Sequence, residues 1–318
     1  MTEPSCIDAW TEYWRSGSGA SCLQGSEAEV RLGRLWDELV EALPDGARVL
    51  DLATGNGVVA KACAATARRR GLKLAIEAVD AADIDPPRYV ADPEGLLRDV
   101  TFRGGVRLEA LPYAADTFDA VVAQFGFEYA SEERAACEVA RCLAPGGRLR
   151  FVMHAREGAV ARDTALRLER LRSVLDRDGA ATLVLALARA AIGGESDALA
   201  AAAARLPAAA ERLRRLSVGA PAGDAALFYG HEFLRLWARR ARYRLADLHR
   251  SAEDGWAHAQ GVARRQEEML HAARSADDLE ALRARFAACG VEVAAPLPVH
   301  DAAGAQIAWQ LDGTKPPR

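Results

Sequence analysis

The chain of 318 residues predicts an α/β fold: a doubly wound, mostly parallel sheet of seven strands with an α-helical cap inserted after strand five. Three observations predict it. From Val49 to about Met153 short apolar runs alternate with helical patterns, as in sheets covered by helices on both faces. The first run, Arg48-Val49-Leu50-Asp51-Leu52, passes directly into a turn holding Gly55 and Gly57. From Ala155 to about Ala288 the pattern becomes helix after helix, rich in Ala, Leu and Arg, before two last strand-like runs.

Taken in order, residues 7 to 15 carry Trp10, Tyr13 and Trp14 on a short helical pattern, and Ser16-Gly17-Ser18-Gly19-Ala20-Ser21 follows as a flexible segment. Residues 1–26 thus read as a helix with a flexible segment, either a lid or an exposed leader. Leu32, Leu35, Trp36, Leu39 and Leu43 repeat at helical spacing, and Pro44-Asp45-Gly46 stops that helix. Strand one follows, and a helix opens near Val58. Leu74 to Val79 reads as strand two, ending at Asp80. Pro86, Pro87 and Pro93 exclude a long helix between Ala81 and Asp99. The core closes at 154. The insertion covers 155–288, with punctuation at Gly193-Gly194, Pro207 and Gly219 to Gly223, and its alanine run Ala198 to Ala204 favours helix. Within 289–318, Gly290 to Val299 and Gln306 to Leu311 read as two final strands around an Asp301-Ala302-Ala303-Gly304 turn.

Half the residues are hydrophobic and the formal charge is −4, which supplies a large core and no general signature for binding nucleic acid. The six cysteines show no C-x-x-C pair and no histidine at metal spacing, so neither a disulfide framework nor a metal site is expected. No run approaches the length of a membrane span, and Met1-Thr2-Glu3-Pro4 lacks a basic n-region, so a cytoplasmic location is expected.

The segment Gly55-Asn56-Gly57-Val58-Val59-Ala60 satisfies the G-x-G-x-x-G/A dinucleotide fingerprint, a weak signal alone. Asp51, four residues before Gly55, argues against a nicotinamide fold, whose apolar strand runs straight into its glycines. The Asp-x-Ala-x-Gly-x-Gly order resembles motif I of class I S-adenosylmethionine-dependent methyltransferases, and the resemblance continues downstream. Leu74 to Asp80 is a second strand ending in an acid, Leu111-Pro112-Tyr113 to Val122 looks like the entry to strand four, and Leu143-Ala144-Pro145-Gly146-Gly147 looks like the turn into strand five. Within the class, Phe118 to Tyr129 followed by Leu-Ala-Pro-Gly-Gly is similar to the methyltransferase type 11 subgroup that includes quinone-biosynthesis enzymes. The resemblance covers about residues 30 to 155 and makes 27–154 a Rossmann-like cofactor-binding core.

The resemblance implies S-adenosylmethionine as cofactor, S-adenosylhomocysteine as product and no metal. It assigns Asp51 and the backbone at Ala53, Gly55, Asn56 and Gly57 to the amino acid end of the cofactor, and Asp80 to the ribose hydroxyls, with Asp83 and Asp85 as rivals. Glu109, Ala110 and Leu111 fall in the adenine region, where the subgroup's Asp-Ala pair is replaced by Arg107-Leu108. Gln124 and Phe125 fall under the methionine portion, and Tyr13 near the cofactor carboxylate. Trp10, Trp14, Glu128, Tyr129 and Tyr229 are candidates to face the acceptor; each has a structural alternative, a packed ring or a helix-capping acid.

Methyl transfer from a sulfonium needs alignment more than acid/base chemistry. Where an acceptor must lose a proton, His154 after strand five and His231 in Phe228-Tyr229-Gly230-His231 are the candidate bases, against a structural role for each. Arg235, Arg239, Arg240, Arg242 and Arg244 form either a solvated face or a site for a carboxylate or phosphate on the acceptor or a carrier. The expectation is a methyltransferase acting on oxygen, nitrogen or carbon of a small-molecule acceptor. The alternatives are a cofactor-binding protein without turnover and a nicotinamide-dependent oxidoreductase.

Overall fold

The computed structural model describes residues 6–17 and 27–318, so the segment from Ser18 to Ser21 and Cys22 lie outside the described residues. The chain divides into two compact units, 1–162 with 269–318, and 163–268.

In the first unit, α1 (Cys6–Arg15) and α2 (Glu27–Glu41) precede β1 (Arg48–Leu52), α3 (Val58–Arg70), β2 (Ala75–Val79), the four-residue α4 (Pro86–Tyr89) and β3 (Val100–Arg103). Then come β4 (Phe118–Gln124), α5 (Glu132–Cys142) and β5 (Leu143–Met153). The prolines limit the stretch after β2 to α4 and one 3₁₀ turn at Leu96–Asp99, as the sequence predicts. The second unit is helical: it holds most of α6 (Ala159–Leu175), then α7 (Ala180–Gly193), α8 (Ser196–Leu216), α9 (Ala225–Ala238) and most of α10 (Leu245–Ala272). The chain returns to the first unit for α11 (Ala276–Ala288), β6 (Glu292–Val293), β7 (Leu297–His300) and β8 (Gln306–Thr314).

The sheet runs β3-β2-β1-β4-β5-β8-β6, with β7 also paired to β8, eight strands in place of the seven expected. The five strands β3, β2, β1, β4 and β5 are mutually parallel, and β8 returns antiparallel to β5. The extra strand arises because the run Gly290 to Val299 is split. Pro296 has no N–H to donate to a ladder, so the chain leaves the sheet between β6 and β7. The β7–β8 turn forms as expected, with the Asp301 carboxylate accepting from the N–H groups of Ala303 and Ala305 at 2.9 and 2.8 Å. Chain order reverses between β1 and β4, and a doubly wound sheet opens a ligand crevice at the carboxyl ends of such strands.

The faces of the sheet follow from period-two alternation. In β4, Val121 and Ala123 join Leu50, Val139, Phe151 and Phe286 in one core layer, whereas Ala120 and Val122 join Val49, Trp36, Val59 and Ile76 in the other; Phe118, separated from Ala120 by a register shift against β5, joins the first layer. Periodicity alone groups α11 with the helical insertion. The helix instead belongs to the first unit, where Leu279, Leu282 and Phe286 are fully buried in the layer that includes α5.

Cys137 of α5 and Cys289 at the end of α11 form a disulfide, with a Cα–Cα separation of 5.3 Å, against the expectation of none. The residues are 152 apart in sequence, so no local spacing announces the pair. Reduction, or a Cys289→Ala substitution, is expected to lower the unfolding temperature by several degrees, since the crosslink restricts a long loop of the unfolded chain. Thermal melts with and without reductant check this; identical melts would remove the crosslink from the account.

Within the second unit, Asp224 caps α9 by accepting from Ala226 N–H at 3.0 Å and is paired with Arg170 at 2.8 Å in a buried position. Pro207, read as punctuation, lies inside α8, carried by flanking alanines of high helix propensity. Among the described residues no helix is long and apolar enough to cross a membrane, and no group of three or more metal-ligating side chains occurs.

Candidate cofactor site

Three strand ends converge in the first unit. After β1 the chain makes a tight turn in which Ala53, Gly55 and Gly57 all have positive φ, 49°, 52° and 80°. Thr54 N–H donates to Val79 O at 3.0 Å and Gly57 N–H to Thr54 O at 2.8 Å, after which α3 begins. Two of these positions suit glycine; Ala53 does not, and a non-glycine held there signals a constrained turn. Phe125, at the end of β4, has the same character at φ 56°. The next residue, Gly126, lies so close to the first turn that an added Cβ would stand 2.4 Å from the Ala53 Cβ.

Asp51 and Asp80 organise this turn from below. The Asp51 carboxylate, 1% exposed, accepts from the Thr54 hydroxyl at 2.6 Å and Ala60 N–H at 3.0 Å through one oxygen. Its other oxygen has no hydrogen-bond partner among the described residues. Burial pushes this carboxyl up to about 7; the Thr54 and Ala60 bonds oppose the rise, and the charge of Asp80 adds to it. Asp80 accepts from Gly55 N–H and from Ala82 N–H, each at 2.8 Å. Burial raises its pKa too, against the backbone bonds from Ala82, Gly55 and Ala81.

A cavity of about 340 Å³ opens here, walled by Ala53, Asp80, Ala81, Ala82, Arg107, Leu108, Glu109, Phe125, Gly126, Tyr129 and Ala130, with Ile7, Trp10 and Trp14 of α1 on its remaining side. The α1 ring stack is continuous: Trp10 lies parallel to Trp14 at 5.8 Å and edge-on to Tyr129 at 5.7 Å. Tyr13 meets Trp14 at 4.8 Å. The helix is fastened by an Arg15–Asp83 ion pair and by Asn56 Nδ2, which donates to Trp14 O at 3.2 Å.

The profile of a methyltransferase domain family matches residues 50–151. The match makes residues 50–151 a methyltransferase domain. Over 108 residues the chain is 41% identical to a demethylmenaquinone methyltransferase of Thermus thermophilus, an alignment covering 32% of this chain and 44% of that relative. The aligned part therefore spans less than half the length of the curated relative. Among solved structures, a chain from the complex of the Haloferax volcanii Trm112 methyltransferase activator with a methyltransferase aligns at 12% identity over 99% of each chain, with a TM-score of 0.48. The YcgJ protein of Bacillus subtilis aligns at 26% identity over 44% of this chain and 58% of its own, with a TM-score of 0.33.

The cavity gathers Trp10, Trp14, Ala53, Asp80, Glu109, Phe125 and Tyr129 of the residues singled out in the sequence, the last five within the matched segment. Gly55 meets the Trp14 ring, which an added Cβ would approach to 2.5 Å, and Gly57 opens α3. Asp51 is turned inward onto Thr54 and Ala60 instead of onto the wall. Of the rivals to Asp80, Asp83 is spent on Arg15 and Asp85 precedes α4. Glu109 accepts from Ser131 N–H at 2.9 Å. Its carboxyl is held below the ordinary range: burial raises it, but the Ser131 N–H, its own N–H and the charges of Arg107 and Arg134 prevail. Ala110 is exposed, and Leu111 is buried in the core with its N–H donated to Glu138 at 2.8 Å. Gln124 accepts the Trp36 indole N–H at 2.9 Å through its side-chain oxygen, which fixes its amide toward α2.

Glu128 and His154 differ most from their sequence reading. Both are buried, at 2% and 3% exposure, and neither lies on the wall. One Glu128 oxygen is 2.8 Å from His154 Nδ1 and also accepts the His154 backbone N–H at 2.9 Å, while the imidazole stacks on Phe125 at 4.2 Å. Glu128 thus serves His154, and His154 backs Phe125. Tyr229 and His231 lie on α9 of the second unit, Tyr229 edge-on to Phe228 at 5.1 Å and His231 exposed. Gly126 and Ala130 of the wall are absent from the sequence-based candidates; a glycine directly after strand four is the signal that could have found the first.

Proposed function

We propose that the protein is an S-adenosylmethionine-dependent methyltransferase acting on a small, partly apolar, ring-bearing acceptor. The observation that carries this is the placing of Asp80 on one cavity wall with Ala53 of the glycine turn after β1 and Phe125 at the end of β4, both at positive φ. The cradle fits the cofactor: a Cβ at Gly126 would enter the Ala53 side chain, and the turn after β1 presents backbone at positive φ where a ligand needs close approach. The Asp80 carboxylate takes N–H bonds from Gly55, Ala82 and Ala81, and of about four acceptor positions on its two oxygens this leaves one for a ribose hydroxyl. Leu108 and Glu109 are our candidates for framing adenine in place of the subgroup's Asp-Ala pair.

The cofactor supplies a methyl group on a sulfonium, activated for in-line displacement. What the chain contributes is alignment and exclusion of water. Trp10, Trp14, Tyr129 and Phe125 make an aromatic wall suited to a flat acceptor, and the name of the Thermus relative supports an acceptor of the quinone-precursor type. We assign His154 the role of holding Phe125 and Tyr129 in place, because its burial keeps the imidazole off the wall.

Calorimetric titration with S-adenosylmethionine and S-adenosylhomocysteine, with a nicotinamide dinucleotide as control, tests the reading. Binding of the first two and not the third is expected. Asp80→Ala is expected to weaken binding by about 1 to 3 kcal/mol, roughly 5- to 150-fold in Kd. Unchanged affinity in that variant would overturn the site. Transfer of labelled methyl to a panel of hydroxylated naphthalenes and phenols then separates an enzyme from a protein that binds without turnover.

A further inference from the structure

The second unit carries one strongly charged patch that the methyl-transfer reading does not use. Arg239, Arg240, Arg242 and Arg244 lie at the end of α9 and in the 3₁₀ turn Arg240–Arg242 leading to α10, and all four are exposed. None forms an ion pair among the described residues. Several other arginines of this unit pair with carboxylates: Arg170 with Asp224, Arg189 with Glu253, and Arg212 with Asp176. The acids nearest in sequence are already committed, Glu232 to Arg235 and Asp247 to Arg250. Four positive charges are thus held uncompensated within six residues of a chain whose net charge is −4.

The turn geometry concentrates them. Arg242 N–H donates to Arg239 O at 2.9 Å and Tyr243 N–H to Arg240 O at 3.1 Å. Side chains three apart eclipse in a 3₁₀ turn, so Arg239 and Arg242 share a direction. Apolar groups are interleaved with the charges. Tyr243 is 43% exposed and Leu245 50%, and the Arg240 guanidinium lies 4.8 Å from the centre of the Trp237 ring.

We propose that Arg239 to Leu245 is a docking surface for an anionic phospholipid bilayer. Guanidinium groups meet headgroup phosphates, while exposed Tyr and Leu side chains enter the headgroup–acyl boundary; this combination of basic and apolar groups is what interfacial segments present. A nucleic acid is disfavoured, because its backbone calls for a continuous positive track, whereas Glu232 and Asp247 bound this patch on both sides. The surface is independent of the methyl-transfer reading, so either stands if the other fails.

The test is co-sedimentation of the full chain with vesicles of phosphatidylcholine alone and with about a third phosphatidylglycerol, at low salt and at about 0.5 M salt. Binding is expected only with the anionic vesicles and is expected to weaken in high salt. Arg239→Gln with Arg242→Gln should lower the partition coefficient by about tenfold or more, and Tyr243→Ser with Leu245→Ser should lower it with the charge intact. Arg214→Gln with Arg215→Gln, which removes two exposed charges paired to Glu211, should leave it unchanged. Circular dichroism verifies that each variant is folded. No sedimentation with anionic vesicles, equal sedimentation with neutral ones, or binding of a duplex oligonucleotide in their place would overturn the proposal, as would equal losses in the Arg214/Arg215 control.

Discussion

A Gly126→Val variant is expected to lose measurable S-adenosylmethionine binding and about 3 kcal/mol or more of stability. The reason is a contact between two turns with no slack. A Cβ at Gly126 would stand 2.4 Å from the Ala53 Cβ and 3.2 Å from its carbonyl oxygen, and valine adds two further methyl groups there. Ala53 cannot retreat easily. It is already at φ 49°, and its turn is tied down by the bonds from Thr54 N–H to Val79 O at 3.0 Å and from Gly55 N–H to Asp80 at 2.8 Å. The partner side is equally bound: Phe125 N–H donates to Val152 O at 2.7 Å, and Tyr129 N–H to Gly126 O at 3.2 Å. Relief of the clash must therefore separate the ends of β1 and β4, and Ala53, Phe125 and Tyr129 on the cavity wall move with them. Thermal melts and calorimetric titration of the purified variant check both effects. Gly33→Ala makes the control, because a Cβ at that position on α2 meets nothing within 4 Å, and both readings should stay at the parent values or improve. A Gly126→Val protein with parental affinity would mean that the cofactor binds elsewhere.

How much of this was legible in the sequence depends on whether a feature is local. The strand-turn-glycine unit at Val49 to Gly57 was readable because its strain is written in the residue types, and Asp80 was readable because Ile76 and Val79 define the strand that delivers it. The parallel sheet followed from apolar runs too short to be helices and separated by helical patterns. Features made by distant parts of the chain were not readable. Cys137 and Cys289 meet only because α5 and α11 pack in one core layer, and Cys63 and Cys142, no different as sequence, stay free and buried. Glu128 and His154, each with both an acceptor-facing and a structural reading open in the sequence, turn inward because the fold places the end of β5 against the turn after β4; the imidazole is then enclosed by Phe125 and Tyr129. Asp51 shows the same limit on a smaller scale. Its position beside the glycines was legible, but the choice between facing a ligand and capping α3 is set by Thr54 and Ala60.

That choice has a consequence for pH dependence. Stability is expected to fall as pH rises through neutrality, and the fall should be shallower in an Asp51→Asn variant. Burial of Asp51, with a smaller push from Asp80, raises its pKa to about 7 in the folded protein, whereas an unfolded chain ionises such a group near about 3.9. Between those values the folded protein keeps a proton that the unfolded chain has released, so each rise in pH favours unfolding. The contribution of Asp51 is therefore complete below about pH 4, shrinks through about 7 and is constant above. About three pKa units correspond to about 4 kcal/mol across the whole range, and about 3 kcal/mol of it falls between about pH 5 and 8. Asp80, also raised by burial, acts in the same direction. Asparagine keeps an oxygen to accept from the Thr54 hydroxyl and Ala60 N–H, and it removes only the titration. Urea midpoints at constant m value, measured for both proteins from about pH 5 to 8, give the comparison. A shallower slope in Asp51→Asn is the expected result, and parallel slopes in the two proteins would show that Asp51 is ionised throughout. The cofactor bears on the same equilibrium, because a bound sulfonium and ammonium would favour the charged carboxylate. Saturating S-adenosylmethionine should then flatten the slope of the parent protein more than that of Asp51→Asn.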